Sequence, residues 1–354
     1  MAKFDLTGLV QTVTGAITPD KMGMTSTHEH LLVDITELRP PPREASAREM
    51  FYGPVTQESL AYARHYDTLI AENIRLRSIE TAVYELKLLK QHGGGTVVEA
   101  TTIGIGRDPV GLARIAREVG FNIVMGASYY VGLMHPADMD KKTEDDILNE
   151  IVSDITVGVG RTGIKAGVIG EVGCSWPLTP NERKVLRASG RAQKATGAGL
   201  LIHPGRNVAA CMEVVGILRE VGADLNRTII AHMDRNYADR ESMRKLAETG
   251  VYLEWDLFGR EVSYYDQNPA FDMPSDARRM NDIKYLVDEG FGERVVIAHD
   301  IYTKDRLVSY GGHGYMYIVK NIVPRLRQRG FTGDQVNKIM VENPARVLTF
   351  VKPG

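Results

Sequence analysis

Short runs of β-branched and apolar residues alternate with amphipathic stretches along this chain, and this alternation restricts its fold more than any other feature. Continuous apolar runs are typical of parallel strands covered on both faces. Apolar residues spaced three and four apart, such as Ile79, Val83 and Leu86, indicate helices packed against such strands. The runs predict strands at residues 24–30, 95–102, 121–128, 166–172, 199–203, 228–232, 251–256 and 294–300. Eight strands with intervening helices favour an α/β fold of the closed (β/α)8 TIM barrel type over an open sheet.

The predicted organisation is a single barrel domain over residues 1–354. Residues 1–22 are expected to form an N-terminal β-hairpin that closes the barrel floor, and residues 23–351 the barrel itself. Two connections are long, at residues 31–94 after the first strand and 257–293 after the seventh. Because long loops after barrel strands tend to surround a site, we expect both of them at the mouth.

Composition argues against several kinds of partner. Lys plus Arg number 43 and Asp plus Glu 45, so the net charge of -2 gives no reason to expect nucleic acid or a membrane. Two cysteines, Cys174 and Cys211, do not make a disulfide framework in a chain of 354 residues. No apolar run is long enough for a signal peptide or a membrane helix. The sequence therefore predicts a cytoplasmic protein, with neither nucleic acid nor a membrane as a partner.

Metal-binding residue types recur where the predicted strands end. They are His28 and His30 on the first strand, Glu171 on the fourth, His203 on the fifth, His232 on the sixth and Asp300 on the eighth. The carboxyl ends of barrel strands meet at one rim, so these side chains should converge. A single buried histidine is usually structural, but six such groups on five strands are hard to explain without metal.

The number and type of these groups indicate two divalent metals. Imidazole and carboxylate ligands suit zinc, and also manganese, cobalt or iron. Six ligands are too many for one tetrahedral zinc but fit a pair of ions, as two-metal hydrolases require. Glu171 lies in the middle of the barrel order, and it is our candidate for a bridging carboxylate.

Cationic residues follow several of the same strand ends. Arg206, Arg235, Arg260 and Lys304 are candidates for binding an anionic tail of a substrate. The alternative is that they are solvated loop charges, or that they pair with Asp234, Glu261 or Asp305. Arg206 is the preferred candidate because it lies nearest to a metal-binding histidine. His313, in a glycine-rich loop, is a further residue that could line the mouth.

Several long motifs resemble a known family. Residues 27–30, 170–177, 203–206, 252–259 and 298–304 look like the phosphotriesterase family of the amidohydrolase superfamily, and the resemblance covers nearly the whole chain. It is closest to the phosphotriesterase-related branch. The resemblance implies a barrel with a binuclear site in which His28, His30 and Asp300 hold the more buried metal. His203 and His232 would hold the more exposed one.

Two positions depart from other branches of that family. Glu171 stands where phosphotriesterases and related lactonases carry a carboxylated lysine; both bridges carry one negative charge, and the change weakens the case for efficient phosphotriesterase activity. Leu257 stands where lactonases carry an arginine, which argues against a lactone substrate. Tyr130 matches a tyrosine that borders the lactonase pocket, so it is a candidate substrate contact.

The resemblance implies an amidohydrolase that cleaves a small anionic N-acyl amino compound such as N-acetyltaurine. A hydroxide bridging the metals would attack, and Asp300 would act as general base and then as acid. Lactonase or carboxylesterase activity with weak phosphotriesterase activity is the alternative. A small-molecule-binding barrel without catalysis is an alternative of another class, since fold does not fix function. The resemblance also implies a homodimer.

Overall fold

A computed structural model of the protein describes residues 5–236, 239–262, 265, 267–269 and 271–354, and it contains one eight-stranded parallel sheet in chain order. Its strands, numbered here one to eight, are Met24–Glu29, Gly94–Glu99, Asn122–Ala127, Val168–Gly173, Gly199–His203, Thr228–Ile230, Tyr252–Trp255 and Val295–Ile297. The first and last strands meet where the Asp300 N–H donates to the His28 carbonyl at 3.0 Å. The predicted (β/α)8 barrel is therefore confirmed.

The sixth and eighth strands end earlier than predicted, before His232 and Asp300. These two residues have φ angles of 62° and 50°, in the left-handed region that residues other than glycine rarely adopt. A strand cannot continue through such a conformation, so both side chains leave the sheet at its carboxyl edge. Hydrophobic periodicity carries no sign of this turn, which explains the error in the predicted ends.

Helices cover the outside of the barrel, and local sequence explains their limits. Thr179 and Glu182 form a capping box at the start of the longest one, and Gly197 ends it with φ 75°. The α-helices run over Ala45–Tyr52, Leu60–His65, Ile79–Gln91, Pro109–Val119, Glu144–Thr156, Pro180–Thr196, Val208–Glu220, Met233–Asn236, Arg240–Ala247, Asp276–Asp288, Val323–Gln328, Gly333–Asn337 and Asn343–Leu348. Ile318–Ile322 and Lys338–Glu342 are π-helical. No described helix is long and apolar enough to cross a membrane.

The lower interior of the barrel is a packed apolar layer. Val98, Val124 and Leu201 point inwards and contact Val10 from the N-terminal segment and Val347 from the last helix. The predicted hairpin is confirmed as the antiparallel pair Val10–Thr12 and Gly15–Ile17; residues 1–4 of the predicted segment lie outside the described residues. Because this end of the barrel is filled, a site can form only at the other end.

The two long connections lie at that other end. The first folds back on itself through the strand pair Val33–Asp34 and Arg75–Leu76, and Asn73 hydrogen-bonds to Asp305 after the eighth strand at 2.9 Å. The second carries a small apolar cluster of its own, in which Leu257, Tyr265 and Met273 are buried. The expectation that both connections form the mouth is met.

Candidate metal centre and cavity

The six predicted metal-binding side chains converge at the carboxyl end of the barrel, around Glu171. Its carboxylate lies 3.2 Å from His30 Nε2 and 3.4 Å from His28 Nε2. On the other side it lies 2.9 Å from His203 Nδ1 and 3.8 Å from His232 Nε2. One carboxylate thus contacts all four imidazoles, two on each side of it.

Asp300 closes the cluster from the eighth strand. Its carboxylate lies 3.2 Å from His30 Nε2, 3.7 Å from His28 Nε2 and 4.0 Å from His232 Nδ1. The side chain is nearly buried but still reaches the cavity above the cluster. Asp300 therefore contacts both the histidine cluster and the space open to a substrate.

Glu171 follows a glycine at which the fourth and fifth strands approach closely. Gly170 has φ 128°, and a Cβ atom there would lie 2.1 Å from the Leu201 carbonyl oxygen. A side chain at this position would collide with the neighbouring strand, so glycine is required where the fourth and fifth strands approach closely.

Two buried acids, one on the seventh strand and one directly after it, orient two of the histidines, and neither was predicted from the sequence. His28 Nδ1 lies 3.2 Å from Glu254 and 3.4 Å from Asp256. Asp256 also contacts His232 Nδ1 at 2.9 Å and accepts the His232 backbone N–H at 3.0 Å. Such carboxylates fix the tautomer and the ring orientation of ligating histidines. A usable signal was present, since Glu254 and Asp256 are two residues apart at a strand end, as His28 and His30 are.

The remaining two imidazoles are oriented by different chemistry. His30 Nδ1 lies 2.8 Å from the Thr101 hydroxyl, which in turn donates to Glu99 at 2.6 Å. His203 Nε2 lies 3.1 Å from the guanidinium of Arg235. His203 thus turns Nε2 towards Arg235 and Nδ1 towards Glu171.

The buried carboxylates of the cluster need positive charge close to them. Burial opposes protonation, but hydrogen bonds to Asp300 and Glu171 raise the pKa of His30 to about 9. Burial raises the pKa of Glu171, yet the neighbouring imidazoles hold it well below its usual value. Burial and repulsion from His232 lower the pKa of His203 to about 3. The carboxylates are thus charged at neutral pH, and protonated imidazoles supply the positive charge that a metal ion would otherwise bring.

These residues fit a divalent metal. His28 Nε2 is buried and has no hydrogen-bond partner among the described residues, although unpaired buried nitrogens are costly. Two groups of possible metal ligands share Glu171. One consists of His28, His30 and Glu171, and the other of Glu171, His203 and His232; within each group the ligand atoms lie within 4.8 Å of one another. Imidazole nitrogens and carboxylate oxygens are the donors that borderline divalent metals prefer.

A cavity of about 680 Å³ opens above the cluster. Of the predicted substrate-binding residues, four line it: Tyr130, Arg206, Arg235 and Arg260. The Tyr130 hydroxyl lies 3.4 Å from His203 Nδ1, so this residue is in direct contact with the cluster. A volume of this size accommodates a small organic substrate.

Four arginines line the cavity, and the three of them predicted from the sequence differ in charge compensation. Arg260 forms an ion pair with Asp67 at 2.7 Å and donates to the Tyr302 hydroxyl at 2.6 Å. Arg206 donates to the Tyr265 hydroxyl at 2.6 Å and to a Gln267 amide oxygen. Arg235 donates to His203, to the Pro204 carbonyl and to Asn236. Within the described part of the chain no carboxylate pairs with either of these last two arginines.

Lys304 does not reach this cavity, contrary to the prediction. It lines a separate cavity of about 330 Å³, where it pairs with Glu72 and lies 5.5 Å from the centre of the Tyr310 ring. The turn after the eighth strand directs this side chain outwards, towards the first long connection. We therefore do not assign Lys304 to the site.

Other expectations about the mouth are also resolved. His313 lines a third cavity of about 400 Å³ and not the one above the cluster. The proposed alternative partners of the cations pair elsewhere: Asp234 with Arg279, and Asp305 with Asn73. Glu261 accepts the Asp276 N–H at 2.5 Å.

Comparisons with known proteins extend over almost the entire chain. The sequence model of the Phosphotriesterase family matches residues 8–348. The N-acetyltaurine hydrolase of Danio rerio is 43% identical over 347 residues, which cover 98% of this chain and 99% of that protein. The crystal structure of a resiniferatoxin-binding protein from Rhodobacter sphaeroides superposes with a TM-score of 0.92 at 36% identity, over 96% of this chain and 95% of that one. For a lactonase from Listeria monocytogenes the TM-score is 0.77 at 27% identity, over 97% and 100%. The matched regions therefore include every strand that carries a site residue.

Proposed function

The chain belongs to the phosphotriesterase family of hydrolases, and from this we propose that it is a two-metal amidohydrolase for small anionic N-acyl amino compounds, N-acetyltaurine among them. The observation that carries the proposal is the position of Glu171. One carboxylate contacts two pairs of histidines, as a shared ligand must, directly below a cavity lined by two arginines without a described carboxylate partner.

In this proposal the metal ligands divide as the resemblance implies. His28, His30 and Asp300 would hold the more buried ion and His203 and His232 the more exposed one, with Glu171 within reach of both groups. When bound, such ions lower the pKa of a water molecule and polarise a carbonyl oxygen. Zinc fits the ligand set best, and manganese, cobalt and iron fit it as well.

Asp300 is the proposed proton carrier. Burial raises the pKa of Asp300, but the hydrogen bond to His30 and the charge of neighbouring imidazoles lower it overall, so the carboxylate is ionised at neutral pH. The Arg306 guanidinium donates to the Asp300 carbonyl oxygen at 2.9 Å and fixes the backbone that carries it. From the edge of the cavity, the carboxylate can accept a proton from the attacking water and return it to the leaving amine nitrogen.

Arg206 and Arg235 are the proposed recognition groups for the acidic end of the substrate. Both line the cavity, and a sulfonate or carboxylate there would gain charge-assisted hydrogen bonds from guanidinium groups. Arg260 is assigned a smaller role because Asp67 already compensates its charge. Tyr130 lies against His203, with ring centres 4.9 Å apart, and would contact the acyl end.

Lactone hydrolysis is the second candidate, because a solved neighbour is a lactonase. Leu257 argues against it: this side chain lines the cavity and is buried in an apolar cluster, where a lactonase-like arginine would be. A cytoplasmic location, a homodimer and the single-domain organisation over residues 1–354 remain predictions.

Metal analysis combined with a substrate comparison tests the proposal. The purified protein should contain about two divalent ions per chain, and chelation should abolish turnover, with recovery on adding Zn²⁺ or Mn²⁺. Of N-acetyltaurine, a γ-lactone and an aryl phosphotriester at equal concentration, N-acetyltaurine should be hydrolysed fastest. The Asp300→Asn variant should lose roughly 10²- to 10⁴-fold in kcat while keeping part of its metal.

Different outcomes contradict different parts of the proposal. Faster turnover of the lactone would reverse the order of substrates, and unchanged turnover in Asp300→Asn would remove that residue from proton transfer. A protein that contains no metal after growth in metal-rich medium and hydrolyses none of the three compounds would instead be a binding barrel.

A further inference from the structure

Tyr265, from the long connection after the seventh strand, lies between the two guanidinium groups on that side of the cavity. Its ring centre is 5.7 Å from the guanidinium carbon of Arg206 and 5.4 Å from that of Arg260. Its hydroxyl accepts a hydrogen bond from Arg206 Nε at 2.6 Å. A single aromatic side chain therefore separates two like charges and fixes the orientation of one of them.

The connection holds Tyr265 in place with apolar contacts of its own. Tyr265 is only 2% exposed and packs with Leu257 and Met273 in a cluster separate from the barrel cores. The Tyr265 carbonyl accepts the Asn268 N–H at 3.0 Å, which closes a turn. This local packing positions the tyrosine without help from a ligand, so the residue is preorganised.

The contacts of Arg206 show which of its hydrogens stay available. Nε donates to Tyr265 and Nη2 donates to Gln267. A guanidinium has five N–H groups, so the Nη1 hydrogens and one on Nη2 have no partner among the described residues. They form the edge with which an arginine binds an acidic group by two parallel hydrogen bonds. Arg260 offers no equivalent edge, because Asp67 and Tyr302 already occupy it.

We propose that Tyr265 is a positioning residue that determines specificity: it presents Arg206 to the acidic group of the substrate and thereby selects anionic over neutral N-acyl compounds. This inference rests on the proposed function. Tyr265 does not contact the reacting bond, so it acts on binding of the acidic end and not on proton transfer. Its effect should appear in KM and should depend on substrate charge.

The Tyr265→Phe variant tests the proposal, because it keeps the ring and its apolar packing and removes the acceptor for Arg206. Two substrates with the same amide are compared, N-acetyltaurine and its uncharged analogue N-acetylethanolamine. For N-acetyltaurine, KM should rise about 5- to 20-fold, as expected for a lost hydrogen bond to a charged group, with kcat within about twofold. For the neutral analogue, kcat/KM should stay within about twofold of the unsubstituted protein.

Tyr129→Phe is the matched control. Tyr129 is also buried, but its hydroxyl donates to Glu150 and the residue does not line the cavity. This variant should leave KM for both substrates unchanged. An equal loss on both substrates in Tyr265→Phe, or no change on either, would overturn the proposal, since a purely structural role affects both alike.

Binding of ethanesulfonate, measured by calorimetry, gives a readout that does not need turnover. The unsubstituted protein should bind it more tightly than Tyr265→Phe by a similar 5- to 20-fold, from the same lost hydrogen bond. If no N-acyl compound is hydrolysed but this difference in affinity is found, the proposed function fails and the role of Tyr265 stands. Equal affinities in the two proteins would refute the role of Tyr265 whatever the substrate.

Discussion

The floor and the rim of the cavity are built in different ways. On the floor, Glu171, His203 and Asp300 stand on or directly after barrel strands, and neighbouring strands fix their positions. On the rim, Arg206 and Arg260 stand on connections, and side chains from other connections decide how each is used. The barrel strands determine the positions of the floor residues, whereas contacts between loops determine those of the rim residues.

This difference separates chemistry from selectivity. The floor residues contact one another within 4.0 Å, so changing one of them disturbs the others. The rim arginines are held one at a time, Arg260 by an ion pair with Asp67 and Arg206 by a hydrogen bond to Tyr265. We therefore expect substitutions on the floor to affect metal content and kcat, and substitutions on the rim to affect KM in a substrate-dependent way.

The largest effect that would test this comparison is expected at Glu171. Glu171→Gln keeps the shape of the side chain but removes the charge that two ions would share. Metal content should fall below two per chain, and kcat should fall roughly 10⁴-fold or more. Elemental analysis and kinetics on the same sample measure both quantities.

Glu213→Gln is the control for loss of a carboxylate, since Glu213 pairs with Arg183 at the surface and does not line the cavity. This control should keep its metal and its turnover. Full metal content and full activity in Glu171→Gln would show that the floor is not a shared metal site.

A smaller effect is expected one layer further out, at Asp256. Asp256→Asn removes the charge that holds His232 and contacts His28, while both rings remain in place. Affinity for metal should fall about 10- to 100-fold, as is usual for groups that orient metal ligands. Competition with a chromogenic chelator measures the affinity, and activity should recover at saturating metal. If the affinity for metal is unchanged, Asp256 does not hold the metal-binding histidines in place. Floor and rim would then differ less than we propose.

Much of the floor could be predicted from sequence, because barrel topology brings strand ends together whatever their separation along the chain. His28 and Asp300 are far apart in sequence, yet the rule that strand ends share one rim predicts that they meet. In the structure His28 Nε2 lies 3.7 Å from the Asp300 carboxylate. Asp256 follows the same rule, and its spacing from Glu254 at a strand end is the signal that would have identified it.

The rim could be predicted only in part, because sequence does not give the path of a long connection. Arg260 was recognised as a cation at the mouth, but its partner Asp67 lies in the connection after the first strand. Lys304, like Arg206, lies just past a strand end in the sequence, although Arg206 was the preferred candidate. A turn after the eighth strand directs it instead to Glu72, in another cavity. Strand positions follow from periodicity, whereas such pairings depend on how two loops pack.

The last effects concern the rim and compare two cations that both lie just past strand ends in the sequence. Arg206→Met removes the guanidinium that Tyr265 presents to the cavity, and KM for N-acetyltaurine should rise about 10- to 100-fold, because a charge-assisted contact is lost. Lys304→Met removes a cation of the neighbouring cavity whose charge Glu72 already compensates. KM should then stay within about twofold, since a partly exposed ion pair contributes little.

The two variants can be compared directly because each replaces a long cationic side chain with methionine. Both therefore lose one positive charge, and they differ only in where that charge was. Melting temperatures for both variants show whether either change disturbs the fold. If Lys304→Met raised KM for N-acetyltaurine as much as Arg206→Met, the overall positive charge of the mouth, and not the geometry of one guanidinium, would select the substrate. The rim would then act through its electrostatic field, and the individual pairing of its arginines would not matter for recognition.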